Sequence, residues 1–230
     1  MNNSTVLITG ANRGLGLEFV RQYSQLGWSV LACSRNPSNA NKLNILQKEF
    51  SSIEILQLDL SNLDEIAALS NTLKDRTIDI LINNAGIYRS GVLGNLDTKE
   101  WIESFKINTI APYVVIESFL GQVMKSDLKK IISITSKMGS IDDNTSGGSY
   151  IYRTSKTGLN SMMRSMTHDL ASKGISTLTL HPGWVKTDMG GSNAWINSTE
   201  SVTGMIKQID KLSQKNSGQY VDYSGEIIKW

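Results

Sequence analysis

Short apolar runs rich in β-branched residues alternate along this chain with longer segments of helical period, and no other feature restricts the fold as much. Such alternation is the sequence mark of a parallel sheet covered by helices on both faces. Strands are expected at Thr5–Thr9, Ser29–Ser34, Ile53–Leu58, Ile78–Ile82, Lys130–Thr135, Ser176–His181 and Gln219–Val221. Helices are expected at Leu15–Leu26, Asn39–Glu49, Asn62–Lys74, Thr98–Lys125, Tyr150–Lys173 and Thr199–Ser213, the fourth of them bent by Pro112. This is an α/β chain with a doubly wound parallel sheet of about seven strands. With three prolines, no low-complexity tract and no internal repeat, nothing marks a linker, so residues 1–230 are expected to form a single domain.

A chain of 230 residues can bury about 70% of its unfolded surface, enough for a large core without covalent staples. The net charge of +2 is dispersed, with no basic stripe of the kind a nucleic acid or an anionic membrane needs, so neither partner is expected. A lone cysteine, Cys33, excludes an internal disulfide framework and a CxxC metal site and fits a reducing compartment. The opening MNNSTVLITG carries no positive region followed by an apolar run, and no stretch nears the ~20 apolar residues of a membrane span. A soluble, cytoplasmic protein is expected, and the sequons at Asn3, Asn144 and Asn197 read as chance.

Directly after the first expected strand comes Thr9-Gly10-Ala11-Asn12-Arg13-Gly14-Leu15-Gly16, followed at once by an amphipathic helix. Glycines there let the backbone turn tightly and approach a pyrophosphate, whose charge meets the amides at a helix start. A three-glycine loop also serves ordinary strand-to-helix turns, and its GxxxGxG spacing differs from the commoner GxGxxG. The second strand ends Ala32-Cys33-Ser34-Arg35, without the acid that would bond the ribose hydroxyls of NAD and repel a 2′-phosphate. Arg35 with Arg13 would clamp such a phosphate, and Ser34 adds a hydroxyl, so NADP(H) is preferred over NAD(H). Asp59-Leu60 and Asn83-Asn84-Ala85-Gly86 close the third and fourth strands, where adenine and ribose would lie in an open α/β sheet. Asp59 reads equally well as a cap for the helix that follows.

Tyr152-Arg153-Thr154-Ser155-Lys156 opens a long helix and puts a phenol and an ammonium on one face. A nearby lysine cation favours the phenolate, so Lys156 is expected to lower the pKa of Tyr152 and make it a usable acid or base. A lone YxxxK also arises by chance. Ser136 follows the fifth strand, where its hydroxyl can hold a substrate oxygen, and Asn108 sits inside the fourth helix, where a polar residue on an apolar face needs a partner.

TGANRGLG, NNAG, the asparagine of KINT, the serine of ITS, YRTSK and HPGWVKT stand in one order over residues 5–190. In this the chain resembles the short-chain dehydrogenase/reductase family of compact Rossmann-type enzymes. MGSIDDNTSGGSYIYRTSK and LHPGWVKTDMGG resemble the C-factor and sniffer-type carbonyl reductases within it. The resemblance implies that Tyr152 is the acid/base, Lys156 tunes it and binds the nicotinamide ribose, Ser136 orients the carbonyl, and Asn108 supports a water-linked relay through Lys156. It implies cofactor contacts from Gly10, Asn12, Arg13, Gly14, Leu15 and Gly16, from Ser34 and Arg35, and from Asp59, Leu60, Asn84, Ala85 and Gly86. Further contacts would come from Pro182, Gly183, Val185 and Thr187 at the nicotinamide end. A small carbonyl or alcohol substrate and a homo-oligomer, dimer or tetramer, are also implied. One departure is that Ser136 precedes Tyr152 by 16 residues, wider than the usual family spacing, with the excess in the polar loop Asp142–Gly148.

A lid is expected at Asp188–Glu200, made mobile by Gly190 and Gly191. Tyr88, Met138, Trp184, Met189 and Trp195 would give an apolar, aromatic substrate pocket. Met162, Met163 and Met166 read as packing, Cys33 as buried, Asp142 and Asp143 as solvated, and His168 and His181 as structural rather than metal ligands, so no metal is expected. The C-factor resemblance keeps open a dinucleotide-binding signalling protein in which turnover is secondary. A sugar-nucleotide epimerase would need a substrate domain, and only 43 residues follow Thr187.

Overall fold

The computed structural model describes residues 4–230, so the Asn3 sequon lies outside the described residues. Seven parallel strands form one sheet: β1 (Thr5–Ile8), β2 (Ser29–Ser34), β3 (Ile53–Gln57), β4 (Ile80–Asn83), β5 (Lys130–Ile134), β6 (Ser176–His181) and β7 (Gln219–Asp222). Their order is β3-β2-β1-β4-β5-β6-β7, so the winding reverses between β1 and β4. The helices are α1 (Gly14–Gln25), α2 (Asn41–Glu49), α3 (Leu63–Thr72), α4 (Thr98–Phe105), α5 (Ala111–Met124), α6 (Tyr150–Ala171) and α7 (Ser198–Lys211). No helix among the described residues is long and apolar enough to cross a membrane.

Both faces of the sheet are apolar because successive strand residues point to opposite sides. Val6 and Ile8 enter one core with Phe19 and Val20 of α1, Leu43 of α2 and Met205 and Ile209 of α7. Leu7, between them, enters the other with Ile66 of α3, Ile116 and Phe119 of α5, and Leu159 and Met163 of α6. Burial of these side chains, each contributing roughly 1.5–3 kcal/mol, is the main force holding the layers together.

The fourth expected helix is not one bent rod. It is interrupted by a wider π turn at Lys106–Ile110, between α4 and α5. Pro112 has no N–H to give the carbonyl four residues earlier, that of Asn108, and its ring crowds that carbonyl. The chain relieves the conflict by widening ahead of the proline, and the π turn carries the fully buried Asn108. Asp97 starts this helical segment, its carboxylate accepting from the Lys99 and Glu100 amides.

Candidate active site

The reversal of strand order opens a crevice beyond the carboxyl ends of β1 and β4, and two loops meet across it. Thr9 and Asn84 clip them together. The Thr9 hydroxyl accepts from the Asn84 and Ala85 amides, both at 3.1 Å, and the Asn84 side-chain amide donates to the carbonyls of Thr9 (2.9 Å) and Gly10 (3.2 Å). Asn84, expected beside a ribose, thus spends both amide hydrogens shaping the glycine loop. Thr9 was not among the expected site residues; a hydroxyl immediately before the first glycine was its only signal. Gly10 has φ +66°, and a methyl built on it would lie 2.9 Å from the Cα and Cβ of Ala85; one on Gly16 would strike the Gly10 carbonyl and approach Asn84 Nδ2 to 2.6 Å. Arg13 caps α1 in extended conformation without a side-chain bond, so the amides of the first turn, through Gly14, Leu15 and Gly16, have no side-chain cap. Uncapped amides at a helix start suit an anion. Asn12 is half-buried in the same turn.

Ser34 is buried at the end of β2, its carbonyl accepting from Leu58, whereas Arg35 is exposed and forms no ion pair among the described residues. Arg13 instead pairs with Asp188 at 3.2 Å, both exposed, across a groove of about 440 Å³ that Lys42 and Lys186 also line. Asp59 is not the cap of α3, which is Asn62; its carboxylate accepts from the Ser61 amide (2.9 Å) and hydroxyl (2.8 Å) in the turn ahead of that helix. Leu60 is buried in the core under α3.

At the other end of the crevice, Gly147, Gly148 and Ser149, all left-handed, turn the chain into α6. Tyr152 and Lys156 are both buried on its inner face. Lys156 Nζ donates to the Ile134 carbonyl at 3.0 Å and lies 5.9 Å from the centre of the Tyr152 ring. A methyl on Gly86 would sit 3.1 Å from Asn108 Oδ1 and 3.4 Å from Lys156 Nζ, so the end of β4, the π turn and α6 converge here. Asn108 finds its partners locally: Nδ2 donates to Ile87 O (2.9 Å) and Ser155 Oγ (3.0 Å), and Oδ1 accepts from Ile87 N (2.8 Å).

Burial dominates the electrostatics of this pair. Burial pushes the Tyr152 phenol up to about 12, partly offset by the neighbouring Ser136 hydroxyl and reinforced by Tyr88. Lys156 is itself pushed down to about 8 by burial. The ammonium is directed at the Ile134 carbonyl, and removal from water disfavours the charged form of both groups. Ser136 neighbours the phenol, and its own hydroxyl accepts from the Met138 amide at 3.2 Å.

Beyond β6, Pro182 accepts from Ser201, Gly183 is left-handed, and Val185 pairs with Ile196 to close a loop. Thr187 hangs over the glycine loop, its methyl 3.6 Å from where a Gly14 methyl would be. The expected lid is shorter than 188–200, because Asn197 caps α7 and Ser198 already belongs to it. Trp184 stacks edge-on with Trp195 at 5.4 Å and bonds the Gly190 carbonyl. Tyr88 reaches the Tyr152 end of the crevice, its ring 4.9 Å from that of Tyr152, and half-buried Met138 lies two residues after Ser136; Trp184, Met189 and Trp195 are exposed on the loop.

The residues read as structural are mostly so placed. Met163 is buried, with Met162 and Met166 packed against the same core, and Cys33 is buried with its thiol pushed up to about 12. Asp142 and Asp143, expected to be solvated, form surface ion pairs with Lys229 and Lys137, each at 3.3 Å. His181 keeps Nδ1 buried and unpartnered opposite Asp222 and is pushed down to about 4.

Comparison with known proteins agrees with this arrangement. The family model for short chain dehydrogenase matches residues 4–196. C-signal from Myxococcus xanthus is 43% identical over 156 residues, 66% of this chain and 93% of its own. Among solved structures, the carbonyl reductase Sniffer of D. melanogaster is 36% identical with a TM-score of 0.92, covering 100% of both chains. The NADPH-bound carbonyl reductase from chicken fatty liver is 35% identical with a TM-score of 0.94, again over 100% of both chains.

Proposed function

Because this chain belongs to the short-chain dehydrogenase family, an oxidoreductase family, we propose that it reduces a small carbonyl compound, or oxidises the matching alcohol, with NADP(H). The observation that carries the reading is the meeting of Ser136, Tyr152 and Lys156 at the end of a crevice whose other end is the glycine loop. All of residues 1–230 are assigned to one domain, and a homo-oligomer is expected to be the working form.

The residues present fit a dinucleotide. A methyl on Gly10 or Gly16 would fill the cradle, the start of α1 is uncapped, and Arg35 stands exposed after β2 without an acid beside it. The preference for NADP(H) over NAD(H) rests on Arg35 and Arg13 and is supported by the NADPH in the chicken enzyme. Gly10, Gly14, Leu15 and Gly16 would meet the phosphates, Lys156 and Thr187 the nicotinamide end.

When bound, the cofactor supplies or accepts the hydride. Everything else falls to this chain. Ser136 donates to the carbonyl oxygen and holds it beside the phenol, and Tyr152, kept protonated by burial, gives its proton to the alkoxide as negative charge develops. Lys156, poised at about 8, restores that proton by way of solvent. Tyr88, Met138 and the Trp184–Trp195 pair favour an apolar aldehyde or ketone. Tyr152→Phe should abolish NADPH oxidation across a panel of carbonyls while keeping the rise in melting temperature on NADPH addition. Full turnover in that variant would refute the mechanism.

The identity with C-signal favours a second reading, a dinucleotide-binding signalling protein. Its mark would be an NADPH-induced melting shift with no turnover on any panel member. Burying a lysine and a tyrosine together is costly without a chemical use, which favours the enzyme.

A further inference from the structure

Ser136 is gripped from the edge strand of the sheet. Tyr220, in β7 and 1% exposed, donates its phenolic hydrogen to the main-chain carbonyl of Ser136 at 2.6 Å, across 84 residues of sequence. The same carbonyl accepts from the Gly139 amide at 2.8 Å, so a Ser136 carbonyl freed of Tyr220 keeps only a bond within its own turn.

The rest of the segment is held as firmly by α6. Thr135 donates to Asn160 Oδ1 at 2.6 Å, Asn160 Nδ2 donates to the Gly139 carbonyl at 3.1 Å, and Thr157 donates to the same carbonyl at 2.9 Å. The Thr135 amide donates to the Leu180 carbonyl of β6 at 2.9 Å, and the bond from Tyr220 is the strand-borne contact made to the Ser136 carbonyl itself. Trp230 packs on the outer face of the Tyr220 ring at 5.3 Å, and Ser140 bonds the Lys229 carbonyl at 2.6 Å, so the folded-back C-terminal residues brace the contact.

We infer that Tyr220 is a positioning residue: its hydroxyl fixes the Ser136 peptide and so holds the Ser136 side chain beside Tyr152. The inference rests on the proposed reduction, in which Ser136 and Tyr152 act together. Burial keeps the Tyr220 phenol protonated and hence a donor. A rotation of one peptide moves a side-chain oxygen by more than a hydrogen bond tolerates, and a hydroxyl misplaced by about 1 Å costs up to ~100-fold in rate.

The test is a double-mutant cycle with Ser136→Ala and Tyr220→Phe, assayed on carbonyl reduction by NADPH. Tyr220→Phe should lower kcat about fivefold or more, leave the KM for NADPH within twofold, and raise the kinetic pKa assigned to Tyr152, because a displaced serine stabilises the phenolate less. In the Ser136→Ala background the same change should have no further effect. An equal loss in both backgrounds, or an unchanged kcat and pH profile, overturns the inference while leaving the proposed reduction intact; full activity of Ser136→Ala itself overturns both. Should Tyr220→Phe fold too poorly to assay, Trp230→Ala frees the ring from outside. It is expected to lower kcat in wild type and not in Ser136→Ala, and equal losses would again overturn the inference.

Discussion

The buried Lys156 ammonium donates to the main-chain carbonyl of Ile134 at 3.0 Å, one strand residue before the turn that carries Ser136. That bond orients the cation without undoing its burial, and the lysine sits near 8 against 10.5 when unfolded. Below pH 8 the folded state carries the full cost of the buried charge; from pH 8 to 10.5 the unfolded lysine stays protonated while the folded one does not, so stability rises with pH. Urea unfolding should show wild type gaining up to ~3 kcal/mol over this window relative to Lys156→Met. A flat difference between the two proteins would contradict the placement.

Tyr152 has the opposite sign. Its phenol is near 12 folded and 10 unfolded, so between these pH values only the unfolded state loses the proton and stability falls as pH rises. Taken as wild type minus Tyr152→Phe, which cancels the other tyrosines, the unfolding free energy should drop by up to ~3 kcal/mol from pH 10 to 12. An absolute spectrophotometric titration of the phenolate provides the independent check.

His181 is neutral in the fold to about pH 4, held there mainly by burial, with Asp222 and Asp143 opposing and Lys137 assisting. As pH falls from 6.5 to 4 the unfolded imidazole takes up a proton that the folded one refuses, so stability declines across that window. His181→Gln should lack this decline, by up to ~3 kcal/mol at pH 4, and NMR of the ring protons should show no titration above pH 5 in the native protein.

Gly10→Ala should be among the costlier small substitutions. It adds left-handed strain at φ +66° and a methyl 2.9 Å from Ala85, whose own backbone is tied to Thr9. A loss of about 2–4 kcal/mol is expected in denaturant unfolding, together with loss of the NADPH-induced melting shift.

Arg35→Asp should reverse the cofactor preference. The substitution removes an exposed cation that forms no ion pair among the described residues and places a carboxylate where a 2′-phosphate would come. The ratio of kcat/KM for NADPH over NADH should fall tenfold or more, and global stability should change by less than ~0.5 kcal/mol.

How far the chain could be read in advance differs from element to element. β2 and β6 were legible residue for residue, β2 as a short apolar run between serines and β6 as an alternation of leucine with β-branched threonine. The helix through Asn108 was legible as helix but not as a π turn, since Pro112 announces a defect without saying which residues absorb it. The substrate side of the site was least legible: Tyr88 lies against Tyr152 through a loop contact that no periodicity encodes.

What the sequence determined by itself was the layered α/β architecture, the seven strands, the glycine loop before α1, and the shared helical face of Tyr152 and Lys156. All of these depend on spacing within a few turns or strand lengths, and such spacing is written locally. Only the tertiary structure decided that Asn84 shapes the glycine loop, that Arg13 meets Asp188, that Lys156 turns to Ile134 rather than to the phenol, and that Tyr220 holds Ser136. Each is a choice among several polar partners of similar chemistry. Strand order and helix packing make that choice by bringing distant groups within hydrogen-bond distance of one another and, at Asn84, Lys156 and Tyr220, by removing water that would otherwise compete.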